Sequence, residues 1–215
     1  GPVTVREGIR DSMNVLAVKA FMMVGAETSY QYMKDMGLEH LVEEDKAATT
    51  ALGGLTQGVS VLEMTGAYAC IANGGTYYEP SYYTVVYDHD GNVLLDKREK
   101  EGKRVLKETT SYLLTDMMED VITSGTGTAA QISGMNVAGK TGTTSDNVDL
   151  TFYGYTPYYT AGIWMGYDTS KEMKNVSGSA HLKIWKHVMS QTHADLPNKE
   201  FTRPDGIVTL SVCCL

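Results

Sequence analysis

Cysteine, proline and clustered positive charge are scarce in this 215-residue sequence. It has three cysteines and five prolines. Cys70, Cys213 and Cys214 show neither CxxC spacing nor a disulfide framework, so they leave the redox compartment undetermined. The 18 Lys and Arg are scattered and outnumbered by 26 Asp and Glu, which gives a net charge of -8. This balance argues against nucleic acid as a partner, because neutralising phosphates requires clustered basic residues.

Paired metal ligands and long apolar runs are also missing. The five histidines show no HExxH or other paired spacing, so we expect no metal and no cofactor. The longest apolar stretches contain Glu63 or Lys19 and are shorter than the roughly 20 residues of a membrane span. No signal peptide is visible. With 42% hydrophobic and 20% charged residues, the composition is that of a globular chain long enough for one large domain.

Helix signals dominate the first two thirds of the sequence. Ser60 with Glu63 has the spacing of a capping box, and so does Thr28 with Gln31. Glycines follow the apolar segments and act as stop signals. The pattern predicts four helices, at Val15–Val24, Ser29–Met36, Val61–Asn73 and Ser111–Ser124.

Residues that favour strands are concentrated later in the chain. A hairpin is predicted around the Asp90-Gly91 turn, between Tyr82–Asp88 and Val93–Asp96. Three antiparallel strands are predicted at Met135–Thr144, Thr151–Tyr155 and Tyr159–Tyr167, followed by a helix over Ala180–His193 whose Leu182, Ile184, Trp185 and Val188 would cover the sheet. We therefore expect an α+β domain with a helical part at about 1–133 that includes the hairpin near 82–96, a sheet with a closing helix at about 134–195, and a tail at 196–215.

The segment from Gly134 to Thr141 matches the phosphate-binding pattern G-x-x-x-x-G-K-[ST]. A P-loop requires a strand before the glycines and a helix after the lysine. Residues 142–146 are poor helix formers, and residues 125–133 are not an apolar strand, so the context disfavours this interpretation.

An edge strand beside a cleft is the alternative interpretation of the same lysine. Alternation along a strand would place Lys140 and Gly142 on one face, and Thr141 and Thr143 on the other. A cation and hydroxyls at such an edge are able to hold a carboxylate. Gly142 would admit a substrate backbone, and the amide of Thr143 would stabilise an oxyanion. A surface strand with a solvated lysine is the third possibility.

Several ordered segments resemble class A penicillin-binding proteins, from about residue 3 to residue 190. They are Val5–Asn14, Ala51–Gly54, Leu62–Tyr68, Ala72–Gly75, Thr123–Gly127, Val137–Thr144 and Gly154–Pro157. The resemblance implies the β-lactamase/transpeptidase-like fold, an antiparallel sheet flanked by helices. It also implies that the fold is incomplete here, because the N-terminal part of the domain is missing.

Enzymes of this family share three signatures, S-x-x-K, S-x-N and K-T-G, around one cleft. Ser12-Met13-Asn14 matches the second and Lys140-Thr141-Gly142 the third. Ser12 and Asn14 would point apart in a helix, so joint action requires a turn before the first predicted helix. Alone, either residue is an ordinary helix-capping candidate.

The resemblance also implies a role for each site residue. Ser12 would relay a proton, Asn14 would bind the peptide group of the substrate, and Lys140 would supply positive potential. The hydroxyls of Thr141 and Thr143 would bind the terminal carboxylate of the substrate, and the amide of Thr143 would form half of the oxyanion hole. The implied catalytic residues are Ser12, Asn14, Lys140 and Thr143, and the implied substrate-binding residues are Thr141, Gly142, Thr143 and Thr144.

No serine in the sequence has a lysine three positions later, so the S-x-x-K signature is absent. We expect that the nucleophile lies in a preceding segment, that this chain alone does not react with penicillin, and that an apolar groove is exposed beside Lys140 and Ser12. The resemblance implies a peptidoglycan D,D-transpeptidase that acts on stem peptides and β-lactams. The whole protein would be anchored at the extracytoplasmic face of the bacterial membrane and would carry a glycosyltransferase domain. A D,D-carboxypeptidase, a β-lactamase or a β-lactam sensor of the same fold, and less favourably a P-loop nucleotide-binding protein, remain alternatives.

Overall fold

Helices and short antiparallel sheets alternate along the chain in a computed structural model that describes residues 1–210. The helices are α1 (Val5–Arg10), α2 (Asn14–Val24), α3 (Ala26–Asp35), α4 (Val61–Ala72), α5 (Glu108–Thr123) and α6 (Ala180–Thr192). The strands are β1 (Thr76–Tyr77), β2 (Val85–Tyr87), β3 (Val93–Asp96), β4 (Lys103–Arg104), β5 (Ala138–Thr143), β6 (Leu150–Tyr155) and β7 (Thr160–Met165). Short 3-10 helices cover Glu43–Asp45, Ala48–Leu52, Thr128–Ala130 and Ser145–Asn147. Cys213 and Cys214 lie outside the described residues.

The main sheet has the strand order β5-β6-β7 and is antiparallel throughout. Its three strands match the predicted ones: β5 and β7 are shorter than predicted at both ends, and β6 begins one residue earlier than predicted. The predicted hairpin is also present, with β2 paired to β3 and Gly91 in the left-handed region at φ +85°. β1 pairs with β4 in a further two-stranded sheet. The α+β organisation is therefore as expected from the sequence.

Helices pack on both faces of the main sheet. Neighbouring residues on a strand point to opposite faces, and Phe152 and Tyr153 of β6 do so here. Phe152 meets Trp185 of α6 edge to face, with ring centroids 4.9 Å apart. Tyr153 stacks on Tyr68 of α4 at 5.4 Å. The sheet thus lies between α6 and α4, and α5 packs against the edge strand β5.

The closing helix α6 differs from the prediction in the side chains that cover the sheet. Leu182, Trp185 and Met189 are buried, whereas Ile184 is 48% exposed and Val188 is 53% exposed. Residues three and four positions apart share one face of a helix. Leu182, Trp185 and Met189 follow that spacing, and Ile184 and Val188 form a second pair on another face. The expectation that these two cover the sheet was wrong.

Helix starts were predicted correctly in one case and wrongly in another. The Ser60–Glu63 capping box is formed at the start of α4, as predicted. The Thr28–Gln31 box is not formed, because α3 begins at Ala26 directly after Gly25. Gly25 has φ +90° and separates α2 from α3 without any loop, so Thr28 already lies inside the helix.

Helix α2 exposes most of its apolar side chains. Phe21 is its buried residue, while Val15, Met22, Met23 and Val24 are each more than half exposed. Val15 lies in the first turn of α2, three residues after Ser12, whereas Met22, Met23 and Val24 lie in its last turn. The groove predicted beside Ser12 and Lys140 stays a prediction.

Candidate active site

Ser12 occupies the turn between α1 and α2. The amide of Met13 donates to the carbonyl of Gly8 at 2.9 Å, and the amide of Ser12 donates to the carbonyl of Ile9 at 3.3 Å. These two bonds form a Schellman motif that ends α1, with Ser12 in the left-handed position usually held by glycine. Ser12 has φ +55°. The residue is therefore held in a conformation that costs roughly 1 kcal/mol for any residue with a side chain.

The sequence contained the signal for this turn, although helix α1 was not predicted. Thr4 and Glu7 form a capping box at its start, with the spacing T-x-x-E. Recognition of that box predicts α1, and α1 makes Ser12 part of a C-terminal cap. The expectation that Ser12 caps the next helix was wrong, since the N-cap of α2 is Met13 and has no side-chain cap bond.

Asn14 is the first residue of α2 and is exposed. Ser12 lies in the turn, and Asn14 starts the helix. No common helix holds the two side chains apart, and this meets the condition for joint action. Within residues 1–210 the side-chain amide of Asn14 has no hydrogen-bond partner. It is accordingly available to a ligand.

Lys140 lies on the edge strand β5, opposite Tyr153 of β6. Its Nζ donates to the hydroxyl oxygen of Ser12 at 2.7 Å and to the carbonyl oxygen of Thr141 at 2.9 Å. The two signature motifs, 128 residues apart in sequence, therefore meet at a hydrogen bond. Burial of the ammonium lowers the pKa of Lys140 from 10.5 to about 8. A lysine with such a pKa exchanges its proton near neutral pH.

The same strand position contradicts the P-loop interpretation. Lys140 and Thr141 are paired strand residues, and no helix begins at either of them. A P-loop lysine and threonine begin a helix whose N-terminus faces phosphate. The nucleotide-binding alternative is wrong for this segment.

Thr141 is hydrogen-bonded to Thr126, a residue that the sequence did not identify as part of the site. The two hydroxyl oxygens are 2.7 Å apart. Thr126 follows α5, and its amide donates to the carbonyl of Arg10 at 3.3 Å. A Cβ added to Gly125 would lie 2.5 Å from the same carbonyl oxygen, so the close approach requires glycine. The loop after α5 therefore joins the end of α1 to β5.

Gly142 lies close to a side chain of the neighbouring strand. A Cβ at this position would lie 2.4 Å from the hydroxyl oxygen of Thr151, the residue paired with Gly142 on β6. The structure thus supplies a packing reason for this glycine, apart from any approach of substrate.

The last two threonines of the motif differ in their surroundings. Thr143 ends β5 and is exposed. Thr144 lies in the turn that follows, where its hydroxyl oxygen accepts the amide of Asp149 at 2.8 Å. Ser12, Lys140, Thr141 and Thr126 are therefore linked by hydrogen bonds, and Thr144 instead closes the β5–β6 turn.

Comparisons with known proteins agree with this arrangement. The family model of the penicillin binding protein transpeptidase domain matches residues 1–190. The chain belongs to this transpeptidase family. The resemblance to class A penicillin-binding proteins and the β-lactamase/transpeptidase-like fold are thereby confirmed.

Relatives of this transpeptidase chain are longer proteins. Penicillin-binding protein 1A of Clostridium botulinum is 39% identical over 215 residues, which cover 99% of the chain and 26% of the relative. Penicillin-binding protein 1A/1B of Bacillus subtilis is 34% identical, with 99% and 25% covered. The chain spans about a quarter of the length of these curated relatives.

Solved structures share the transpeptidase fold. The penicillin-binding protein PonA1 of Mycobacterium tuberculosis superposes with a TM-score of 0.85 at 23% identity, covering 100% of this chain and 64% of that one. The structure of the same protein in complex with penicillin V gives a TM-score of 0.82 at 24% identity, covering 96% and 61%.

Over the described residues, no helix is both long and apolar enough to span a membrane.

Proposed function

We propose that this chain contributes the S-x-N and K-T-G elements of a peptidoglycan D,D-transpeptidase that works through a serine acyl-enzyme. The observation that carries the proposal is the 2.7 Å hydrogen bond from the Lys140 ammonium to the Ser12 hydroxyl. Membership of the transpeptidase family supports the reaction class. The substrate would be a stem peptide with a terminal D-alanyl-D-alanine.

The nucleophilic serine would come from an S-x-x-K segment outside these 215 residues. Its hydroxyl oxygen attacks the penultimate carbonyl, the C–N bond to the terminal D-alanine breaks, and an ester to the enzyme forms. The amine of a second stem peptide then attacks the ester, and a new amide links the two peptides. The serine proton is thereby passed to the departing D-alanine amine, and the incoming amine returns one to the serine.

Ser12 and Lys140 would move that proton. Lys140, with a pKa of about 8, is mainly an ammonium near neutral pH with a minor amine fraction, and its hydrogen bond to Ser12 gives the proton a path. The Ser12 hydroxyl, positioned by the turn after α1, would pass the proton to the leaving amine. Positioned acid–base groups of this kind typically contribute about 10²–10⁴-fold to a rate.

Substrate recognition would fall to the other motif residues. The Asn14 amide has no hydrogen-bond partner among the described residues and would bind the peptide group. The hydroxyls of Thr141 and Thr143 would bind the terminal carboxylate, and the amide of Thr143 would stabilise the oxyanion. Gly142 and Thr144 would shape this strand end, the latter through its bond to Asp149.

Penicillin would bind at the same site. The related PonA1 protein has been solved with penicillin V. A β-lactam presents a carboxylate and a reactive carbonyl, so the groups that hold a stem peptide would hold it as well. The complete protein would be anchored at the extracytoplasmic face of the membrane and would carry a glycosyltransferase domain.

Labelling with a fluorescent penicillin, followed by denaturing electrophoresis, tests the proposal. The 215-residue chain alone should give no labelled band, because it has no S-x-x-K serine. A longer protein that includes the preceding segment should be labelled, and replacement of its S-x-x-K serine by alanine should abolish the label. A covalently labelled band from the 215-residue chain alone would refute the assignment of the nucleophile.

A hydrolase or sensor of the same fold would form the same acyl-enzyme. These alternatives differ in whether water, an amine or nothing attacks the ester. Incubating the labelled longer protein with an acceptor peptide, and following both cross-linked and hydrolysed products by mass spectrometry, separates them. Cross-linked product supports the transpeptidase, and hydrolysed product alone supports a carboxypeptidase or β-lactamase.

A further inference from the structure

Two contacts place Thr126, in the loop after α5, inside the candidate active site. Its hydroxyl oxygen lies 2.7 Å from that of Thr141 on β5. Its amide donates to the carbonyl of Arg10, two residues before Ser12. Thr126 therefore lies where β5 meets the turn that ends α1, although it belongs to neither signature motif.

The two threonine hydroxyls pair with each other at a surface that a ligand can approach. Thr126 is exposed, and Thr141 is only partly buried. Over residues 1–210, the side-chain hydroxyl of each threonine makes no hydrogen bond other than the one to its partner. Either hydroxyl is able to donate in this pair, so the described contacts leave the direction of the bond open.

A carboxylate bound to Thr141 sets the direction of this hydrogen bond. A threonine hydroxyl has one proton, and an ionised carboxylate only accepts hydrogen bonds. When Thr141 donates its proton to the carboxylate, its oxygen is left as an acceptor, and Thr126 is the donor of the remaining bond. Hydrogen bonds in such a chain strengthen one another, and a bond to a charged oxygen is stronger than a neutral one.

We propose that Thr126 is a positioning residue for the substrate carboxylate, because it donates to Thr141 and thereby directs the Thr141 proton towards that group. The inference rests on the proposed function, in which Thr141 and Thr143 bind the terminal carboxylate. It gives the loop after α5 a part in substrate recognition without contact with the substrate. Its effect should therefore depend on the negative charge of the carboxylate.

A penicillin and its methyl ester are matched probes of this effect, because the ester lacks the negative charge. Second-order acylation rates are measured with both compounds in the longer protein that includes the preceding segment. Thr126→Val keeps the shape of the side chain and removes the hydroxyl. It should slow acylation by the free acid about three- to tenfold, the effect of one hydrogen bond, and should leave the rate with the ester unchanged.

Two further variants control for effects other than the hydroxyl. Thr126→Ser restores the hydroxyl and should recover most of the rate with the free acid. Thr128→Val is the same substitution at a nearby exposed threonine whose side chain makes no hydrogen bond among the described residues. It should change neither rate.

A double variant tests whether Thr126 acts through Thr141. Thr141→Val should itself slow acylation by the free acid, and adding Thr126→Val to it should cause no further loss, because residues that act through one contact are not additive. A further loss as large as that in the single Thr126→Val variant would mean that Thr126 contacts the carboxylate directly. That result would overturn the positioning role.

Two other results would also overturn the proposal. The first is an equal loss of rate with the acid and the ester in Thr126→Val, which would show a structural role. The second is a rate with the free acid that Thr126→Val does not change. In both cases the unmodified protein is still acylated, so the proposed function is unaffected. No acylation of the unmodified longer protein would instead refute the proposed function, and this inference with it.

Discussion

Lys140 donates a hydrogen bond to Ser12, a residue whose own backbone is held in the left-handed region. The turn that ends α1 places the Ser12 hydroxyl, and the edge strand β5 places the ammonium. Both residues lower the stability of the folded state, since Ser12 is conformationally strained and Lys140 is partly desolvated. Such costs accumulate at sites kept for function.

Replacing Ser12 separates its backbone strain from its hydroxyl. Ser12→Gly removes the side chain from a left-handed position, whereas Ser12→Ala retains the strain and loses only the hydroxyl. The glycine variant should exceed the alanine variant in free energy of unfolding by about 1 kcal/mol. Urea denaturation of both variants measures the difference. Equal stabilities would show that the Schellman geometry at Ser12 is not maintained in solution.

Removing the ammonium of Lys140 should stabilise the fold. Below pH 8 the lysine is charged in both states and its burial destabilises the folded state, so Lys140→Met should gain about 1–2 kcal/mol after loss of the Ser12 hydrogen bond. Between pH 8 and 10.5 the folded state releases its proton first, so the stability of the unmodified chain rises with pH. The difference in free energy of unfolding between Lys140→Met and the unmodified chain therefore narrows. Urea midpoints at pH 7 and pH 10 check this. A difference in stability between the two chains that does not change with pH would contradict the lowered pKa of Lys140.

Glu63 should be a stability determinant in acid. Burial raises the pKa of this carboxyl, but hydrogen bonds from Ser60, His40 and Glu39 outweigh burial and lower it from 4.5 to about 2. The stabilisation is complete above pH 4.5 and is lost as the pH falls towards 2. Glu63→Gln should cost about 2 kcal/mol at neutral pH and should remove this pH dependence between pH 5 and 2. Thermal unfolding across that range measures both, and an unchanged acid profile in the variant would exclude Glu63 as the source.

The packing role of Gly142 is testable by a paired substitution. Gly142→Ala places a methyl group against the hydroxyl of Thr151 and should cost about 1–3 kcal/mol. Thr151→Ala in the same chain should recover most of that loss, because the two positions face each other across β5 and β6. Denaturant unfolding of both single variants and of the double variant gives the coupling free energy between the two positions. Strictly additive effects would mean that the clash is relieved elsewhere.

Local sequence patterns predicted the elements whose stability depends on nearby residues. The Ser60–Glu63 box, the Asp90-Gly91 hairpin and the three strands of the main sheet are all encoded within short segments. The start of α3 was missed because α3 begins directly after Gly25, with no loop between it and α2. Ile184 and Val188 were assigned to the sheet because apolar character alone does not reveal the face of a helix.

The site depends on contacts that local patterns do not contain. The approach of Lys140 to Ser12 spans 128 residues and was expected only through the family resemblance. The bond between Thr126 and Thr141 also depends on tertiary packing, since it requires the loop after α5 to lie against the end of α1. Gly125 was visible in the sequence, but its contact with Arg10 was not.

The most direct test of the account is the rate of acylation by penicillin in the longer protein that the proposal requires. Ser12→Ala, Lys140→Ala and the double variant should each remain folded by circular dichroism. Each single variant should lose about 100-fold or more in second-order acylation rate. The double variant should lie within about tenfold of the slower single, because residues that act as a unit are not additive. A folded single variant whose acylation rate stays close to that of the unmodified protein would contradict the claim that Ser12 and Lys140 act together.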